Sequence, residues 1–110
     1  MPRIRLPNRR ASESFDFNVN GLCCTATISR FVGGELAEIF LGTGKAGSGG
    51  DTAAKDSAVV CSIALQYGVP VDVIRKALLR DPRGHASSPL GVALDLLAEG
   101  DHKAAGVTTQ

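Results

Sequence analysis

The stretch Glu13–Arg30, ESFDFNVNGLCCTATISR, decides the fold. Phe15, Phe17 and Val19 alternate with Ser14, Asp16 and Asn18, the period of a strand with one buried face. Asn20-Gly21 follows at once, and this dipeptide readily takes the positive φ angles that a two-residue hairpin turn demands. The return segment, Leu22 to Val32, sets Leu22, Cys24, Ala26 and Ile28 on one face against Cys23, Thr25, Thr27 and Ser29 on the other. Gly33-Gly34 makes a second tight turn, and Glu35 to Leu41 reads as a third strand. An antiparallel meander results. Its third strand alternates poorly, because Ala37, Ile39 and Leu41 oppose Leu36, Glu38 and Phe40. Both faces of that strand are therefore expected to be partly covered, the second by a subunit partner.

After Gly50 the period changes. Ala54, Ala58, Cys61, Ile63 and Leu65 fall in a run of helix formers that closes at Tyr67 with Gly68 as C-cap, and Asp51 or Thr52 is expected to cap its start. Pro70 opens a short second helix with Val71, Ile74 and Leu78 as its buried stripe. Asp81 to Gly84 breaks it, and HASSPLG leads into a third helix: Ser88 caps, Pro89 begins, Val92, Leu94, Leu96 and Leu97 face inward, and Gly100 stops it. Strands first and helices second predict an α+β fold, a three-stranded antiparallel meander followed by three helices packed on one face. Residues 1–12 form a basic arm, 13–100 the α+β domain, and 101–110, ending in GVTTQ, a tail.

Composition bounds the function. The 110 residues suffice for one core, built mainly from aliphatic side chains since there is no Trp, one Tyr and four Phe. Three cysteines, two of them adjacent, make neither a disulfide framework nor a CxxC pair, which points to a reducing cytoplasm. No apolar run reaches the length of about 18 residues that a membrane span needs, and no apolar segment follows the N-terminal arginines, so a soluble, unprocessed protein is expected. The net charge of +1 hides an asymmetry: residues 1–10 carry Arg3, Arg5, Arg9 and Arg10 without an acid, while the rest hold eight basic and eleven acidic residues. Such an arm rests on phosphates, on an acidic partner, or on the acidic body of its own or a neighbouring subunit.

The segment GTGKAGSGGD, Gly42 to Asp51, joins the strand pattern to the helix pattern. Gly42, Gly44 and Gly47 fit GxGxxG after a strand, yet a dinucleotide fingerprint needs a parallel βαβ unit, which the meander denies. A phosphate loop of the GxxxxGK[ST] kind is absent too, and Asp51 opposes an anion at the same amides. The segment reads as a crossover from sheet to helix, or as an anion site formed by Gly44, Lys45, Gly47, Ser48 and Gly49 with the arm residues Arg5, Arg9 and Arg10.

Other chemistry is thin. His85 and His102 have no acid or cysteine at ligand spacing, so no metal site is expected. Cys61, and Cys23 or Cys24, whose side chains point to opposite faces of a strand, read as core thiols rather than nucleophiles. Glu35 and Glu38 read as exposed acids, solvated or paired with Arg30, and Arg80 to Arg83 as a surface ion cluster with Asp81. No catalytic residue and no cofactor is assigned.

Four stretches carry a family resemblance: LPNRRASESF from Leu6, GGELAEIFLGTGKAGS from Gly33, SAVVCSIALQYGVPVDVIRKAL from Ser57, and SPLGVALDLLA from Ser88. In order and spacing they resemble the TSCPD domain, the module found near the C-terminus of adenosylcobalamin-dependent (class II) ribonucleotide reductases and also as short free-standing proteins. Its most specific parts here are Arg9-Arg10 after Leu6-Pro7, Glu38-Ile39-Phe40 followed by Gly44, Lys45 and Gly47, and the phrase running from Ser62 to Pro70. The cysteine-bearing tail of the large reductases has no counterpart in HKAAGVTTQ, and the catalytic barrel is far larger than this chain. The resemblance therefore implies an accessory domain tied to deoxyribonucleotide metabolism, without reductase activity of its own.

Two functions follow as expectations. The first is a non-catalytic accessory or assembly module that forms a homo-oligomer or docks on a partner, a ribonucleotide reductase or another protein, through the arm and the open face of the sheet. The alternative is a nucleotide or nucleic-acid binder in which Arg5, Arg9, Arg10 and Lys45 hold phosphates near the glycine loop.

Overall fold

The computed structural model describes residues 2–7, 10–45 and 47–100, together with the backbone of 107–108. Strand β1 (Glu13–Val19) pairs antiparallel with β2 (Leu22–Arg30), and β2 with β3 (Leu36–Thr43). Asn20 at φ 52° and Gly21 at φ 81° form the expected two-residue turn, whose backbone twist matches that of the strands it joins. The register sets Phe15, Ala26 and Leu41 side by side across the sheet, with Ile28 beside Ile39 in the next row. These side chains form one apolar face, on which the helices lie.

The helices are α1 (Gly49–Gln66), α2 (Val71–Ala77) and α3 (Pro89–Glu99). The α+β order read from the sequence is the observed one, and beyond it a two-residue strand, β4 (Val107–Thr108), pairs antiparallel with β1 at Phe15 and Ser14. The sheet order is β3-β2-β1-β4. Ala54, Ala58, Cys61 and Leu65 of α1 and Leu90, Ala93 and Leu94 of α3 fill the core, while α2 contributes the half-buried Val71 and Ile74. In α3, Ser88 accepts the Gly91 N–H and Gly100 closes the helix at φ 73°, both as read. The inward face is centred on Leu90, Ala93 and Leu94, however, and Val92, Leu96 and Leu97 sit on its flank, half-buried.

Strand β3 explains its own poor alternation. Ser29 pairs with Glu38 and Arg30 with Leu36, so Ala37 is an extra residue that bulges the strand and turns Leu36, Ala37, Glu38 and Ile39 all into buried positions. The outward edge of β3 is occupied by α1. The Ser62 hydroxyl accepts the Ile39 N–H at 2.8 Å and donates to the Ile39 carbonyl at 2.9 Å. Gln66 Nε2 donates to the Ala37 carbonyl at 3.2 Å, and Asp51 Oδ1 accepts the Thr43 N–H at 2.9 Å. From Asp51 to Ser62 is about three turns and from Ser62 to Gln66 about one, so the three side chains share one face of the helix. That face supplies the hydrogen bonds a further strand would otherwise make. On the second face of β3, Glu38 is covered by Arg10 of the arm, while Phe40 is exposed.

Arg75 and Arg80 both donate to the Asp95 carboxylate at 2.7 Å, which ties α2 and the loop after it to α3. Arg80 thus pairs with Asp95 rather than with its neighbour Asp81, which instead accepts the N–H groups of Arg83 and His85. No helix among the described residues is long and apolar enough to cross a membrane.

Candidate binding site

The glycine segment is folded around its own acid. Thr43 ends β3, Gly44 extends the ladder by donating to the Cys23 carbonyl at 2.9 Å, and Gly47 turns the chain at φ 78°. Ser48, not Asp51 or Thr52, is the N-cap of α1: its hydroxyl accepts the Asp51 N–H at 3.2 Å. The spacing Ser48-x-x-Asp51 is that of a capping box, in which the acid reaches back over the first turn. Here it reaches further. Asp51 Oδ1 accepts from the Thr43 N–H and hydroxyl, and Oδ2 from the Gly47 N–H at 3.2 Å and from Lys55 Nζ at 2.9 Å. Only 2 % of this side chain is exposed. The Lys55 ammonium, then the amides of Thr43 and Gly47, hold its carboxyl well below the usual carboxylate range. An internal anion therefore fills the niche that the Gly47 amide forms.

What the loop turns outward is smaller. Gly49 and Gly50 open α1, where first-turn N–H groups have no acceptor within the helix. A side chain at either would meet nothing within 4 Å, so the chain's own packing does not call for glycine there. Lys45 is exposed, with no ion pair or side-chain hydrogen bond among the described residues.

The arm is docked on the body at the other end of the same elements. Arg3 Nε donates to Gln66 Oε1 at 2.8 Å, and the Ile4 N–H to the Gln66 carbonyl at 2.8 Å. Arg10 donates through Nε to Glu38 Oε1 and through Nη1 to the Pro7 carbonyl. The Glu38 hydrogen bond raises the pKa of the Arg10 guanidinium. Glu38 is buried and its partner is Arg10, which corrects the expectation of an exposed acid paired with Arg30; Arg30 faces Glu13 and the Gly34 carbonyl. Arg5 is exposed, and Arg9 and His102 lie outside the described residues.

Geometry separates the candidate residues into two groups. Five residues of strand from Glu38 to Thr43 span about 17 Å, and α1 from Gly49 to Gln66 rises about 25 Å. Lys45, Gly44, Gly47, Ser48 and Gly49 thus sit at one end, and Arg10 at the other with the Arg3–Gln66 contact. Cys24 and Cys61 are buried; burial pushes the Cys61 thiol up to about 11 and raises that of Cys24. Cys23 is exposed on the open sheet face. Among the described residues no three His, Cys, Asp or Glu side chains gather as metal ligands. That open face is polar, with Thr25 donating to Asp16 at 2.6 Å, a Ser14–Thr27 hydroxyl pair at 2.8 Å, and the part-exposed Phe40.

The TSCPD domain matches the chain over residues 5–99, from the arm through to the end of α3. The chain belongs to the TSCPD domain family. No curated protein and no solved structure matches it. The matched span covers the glycine loop closed on Asp51 and the Arg10–Glu38 pair at the other end, while Arg3 and Ile4, which contact Gln66, precede it.

Proposed function

We propose that this TSCPD domain is a non-catalytic accessory and assembly module that acts by associating with itself or with a protein partner, a class II ribonucleotide reductase being the partner the family resemblance suggests. The observation that carries this reading is the engagement of its polar groups in building the fold. Asp51, Glu38 and Asp95 each hold a cation or a backbone amide, and Ser62 and Gln66 are spent on the edge of β3. Groups engaged in this way are not free to serve a substrate as acid, base or nucleophile. The free thiols of Cys23, Cys24 and Cys61 support a reducing compartment, the cytoplasm. The test is an assay of the purified chain with ribonucleotides, adenosylcobalamin and a dithiol reductant, alone and mixed with a class II reductase. The expected result is no turnover by the chain alone and a co-migrating complex or an altered rate in the mixture; turnover by the isolated chain refutes the reading.

One observation favours a second reading, phosphate binding at the glycine loop. Gly49 and Gly50 leave open backbone at the start of α1 beside an unpaired Lys45, the arrangement that lets an anion approach amides closely. The contact would rest on that end of the molecule, about 25 Å of helix away from the Gln66 anchor of the arm. Titration with deoxynucleotides and single-stranded DNA at low salt tests it, and no binding there removes it.

A further inference from the structure

Resting on the reading of this domain as an assembly module, the geometry points to the outer side of α1, with the groove between α1 and α2, as the surface on which a second copy of the chain docks. From Ser57 to Val71 the sequence contains no Asp, Glu, Lys or Arg. One side of that stretch, Ala58, Cys61 and Leu65, is buried in the core, while Val59, Val60, Ile63 and Tyr67 face outward. A surface helix ordinarily carries charge opposite its buried stripe, and a helix apolar around its whole circumference is one that is covered on both sides. α2 continues the surface: Val60 is 67 % exposed and Val73 58 % exposed. Between them runs an open apolar groove of ≈ 550 Å³, floored by Leu90 and lined by Ala64, Ile74 and Ala77.

The patch holds both halves of a fit. Val59, Val60 and Ile63 form a ridge, and beside it the small side chains of Ala64 and Ala77 let another helix come close. A two-fold axis through this face sets the ridge of each copy into the groove of the other, with the two α1 helices antiparallel, which closes the assembly at two subunits. Asp56 is the one charged residue that lines the groove, whose other lining residues are apolar or small, so shape and apolar area chiefly select the occupant. The exposed parts of Val59, Val60, Ile63, Tyr67 and Val73 come to roughly 400 Å² per copy, within the range of large functional patches. A stable interface buries roughly 800 Å² per partner, so this patch would supply about half of one. The rest of the sheet offers less: the β3 edge is sealed by Asp51, Ser62 and Gln66, and its open face is polar.

Sedimentation equilibrium of the full chain across the micromolar range tests this, with Val60→Glu, Val73→Glu and the open-face control Thr25→Lys. All three positions are exposed in the single chain, so each variant folds, as an unchanged circular dichroism melt at low concentration verifies. The expected wild-type species has twice the 11.4 kDa mass of one chain. Val60→Glu and Val73→Glu each bury two unpaired carboxylates and weaken the dimer at least about a hundredfold, while Thr25→Lys leaves it intact. A monomer at every concentration overturns the proposal, as does a dimer indifferent to both glutamates or one dissociated by Thr25→Lys. A monomer that still binds a reductase overturns this two-copy surface while leaving the assembly reading in place.

Discussion

Ser62→Ala is the sharpest test of how this fold is closed. The hydroxyl serves both the N–H and the C=O of Ile39, a fully buried residue of the edge strand. Removing it orphans two backbone groups where water cannot replace the partner, at about 1–3 kcal/mol each. Alanine is the better helix former by about 0.5 kcal/mol, which offsets a small part of the loss. The net destabilisation is then about 1.5–5.5 kcal/mol, against a total of about 5–15 kcal/mol for a domain, and the melting temperature falls by roughly 10 °C or more. Ser57→Ala is the control, because the Ser57 hydroxyl bonds only the Ala54 carbonyl within its own helix. It should move stability by less than about 0.5 kcal/mol. Urea unfolding followed by circular dichroism reads both variants. Native-state hydrogen exchange supplies the residue-specific check: the Ile39 amide, on an edge that pairs with no further strand, should be protected in the wild type and exchange about a hundredfold faster in Ser62→Ala. A Ser62→Ala variant as stable as Ser57→Ala, with Ile39 protection unchanged, refutes the edge-sealing argument.

Two further outcomes follow from the ion pairs. The Asp95 carboxyl, held at about 2 chiefly by Arg80 and then Arg75, has a folded pKa below its unfolded one. Its contribution, about 2 kcal/mol, is therefore complete above about pH 4 and is lost as pH falls toward 2. Asp95→Asn should remove that contribution at neutral pH and flatten the acid limb of a stability-against-pH curve; an equally steep limb in the variant would contradict it. Arg10→Ala strips the buried Glu38 of its cation and should lower the melting temperature, and adding Glu38→Gln should recover part of the loss because a neutral amide is easier to bury alone. A double variant no more stable than Arg10→Ala would show that the pair does not anchor the arm.

The sequence made the meander legible because Phe15, Phe17 and Val19 keep a strict period of two and Asn20-Gly21 permits one turn geometry. The caps of α3 were equally plain, since Ser88, Pro89 and Gly100 each have one local job. The start of α1 is less plain, because the Ser48-x-x-Asp51 spacing that marks it lies inside a glycine-rich segment without regular periodicity. Ser62 and Gln66 were invisible to periodicity for a different reason. A polar residue four positions from another on a helix reads as a solvated face, and only the tertiary arrangement makes it a partner for a strand edge. Glu38 was misplaced because the bulge at Ala37 and the return of Arg10 are both long-range facts. Nothing local says either that Arg10 pairs with Glu38, at the opposite end of α1 from the loop.

Helix α1 runs partly inside out. Asp51, Ser62 and Gln66 lie buried, while Val59, Val60, Ile63 and Tyr67 stand in solvent. The buried polar side follows from topology: β3 is an edge strand, its outward N–H and C=O groups need partners, and the helix that crosses it must supply them. Nothing in that requirement calls for an apolar outer side. Lysine or glutamate at Val59 and Val60, which are about half-exposed or more, would favour a helix more than Val does. That apolar outer face, beside the groove between α1 and α2, is where the proposed second copy would dock.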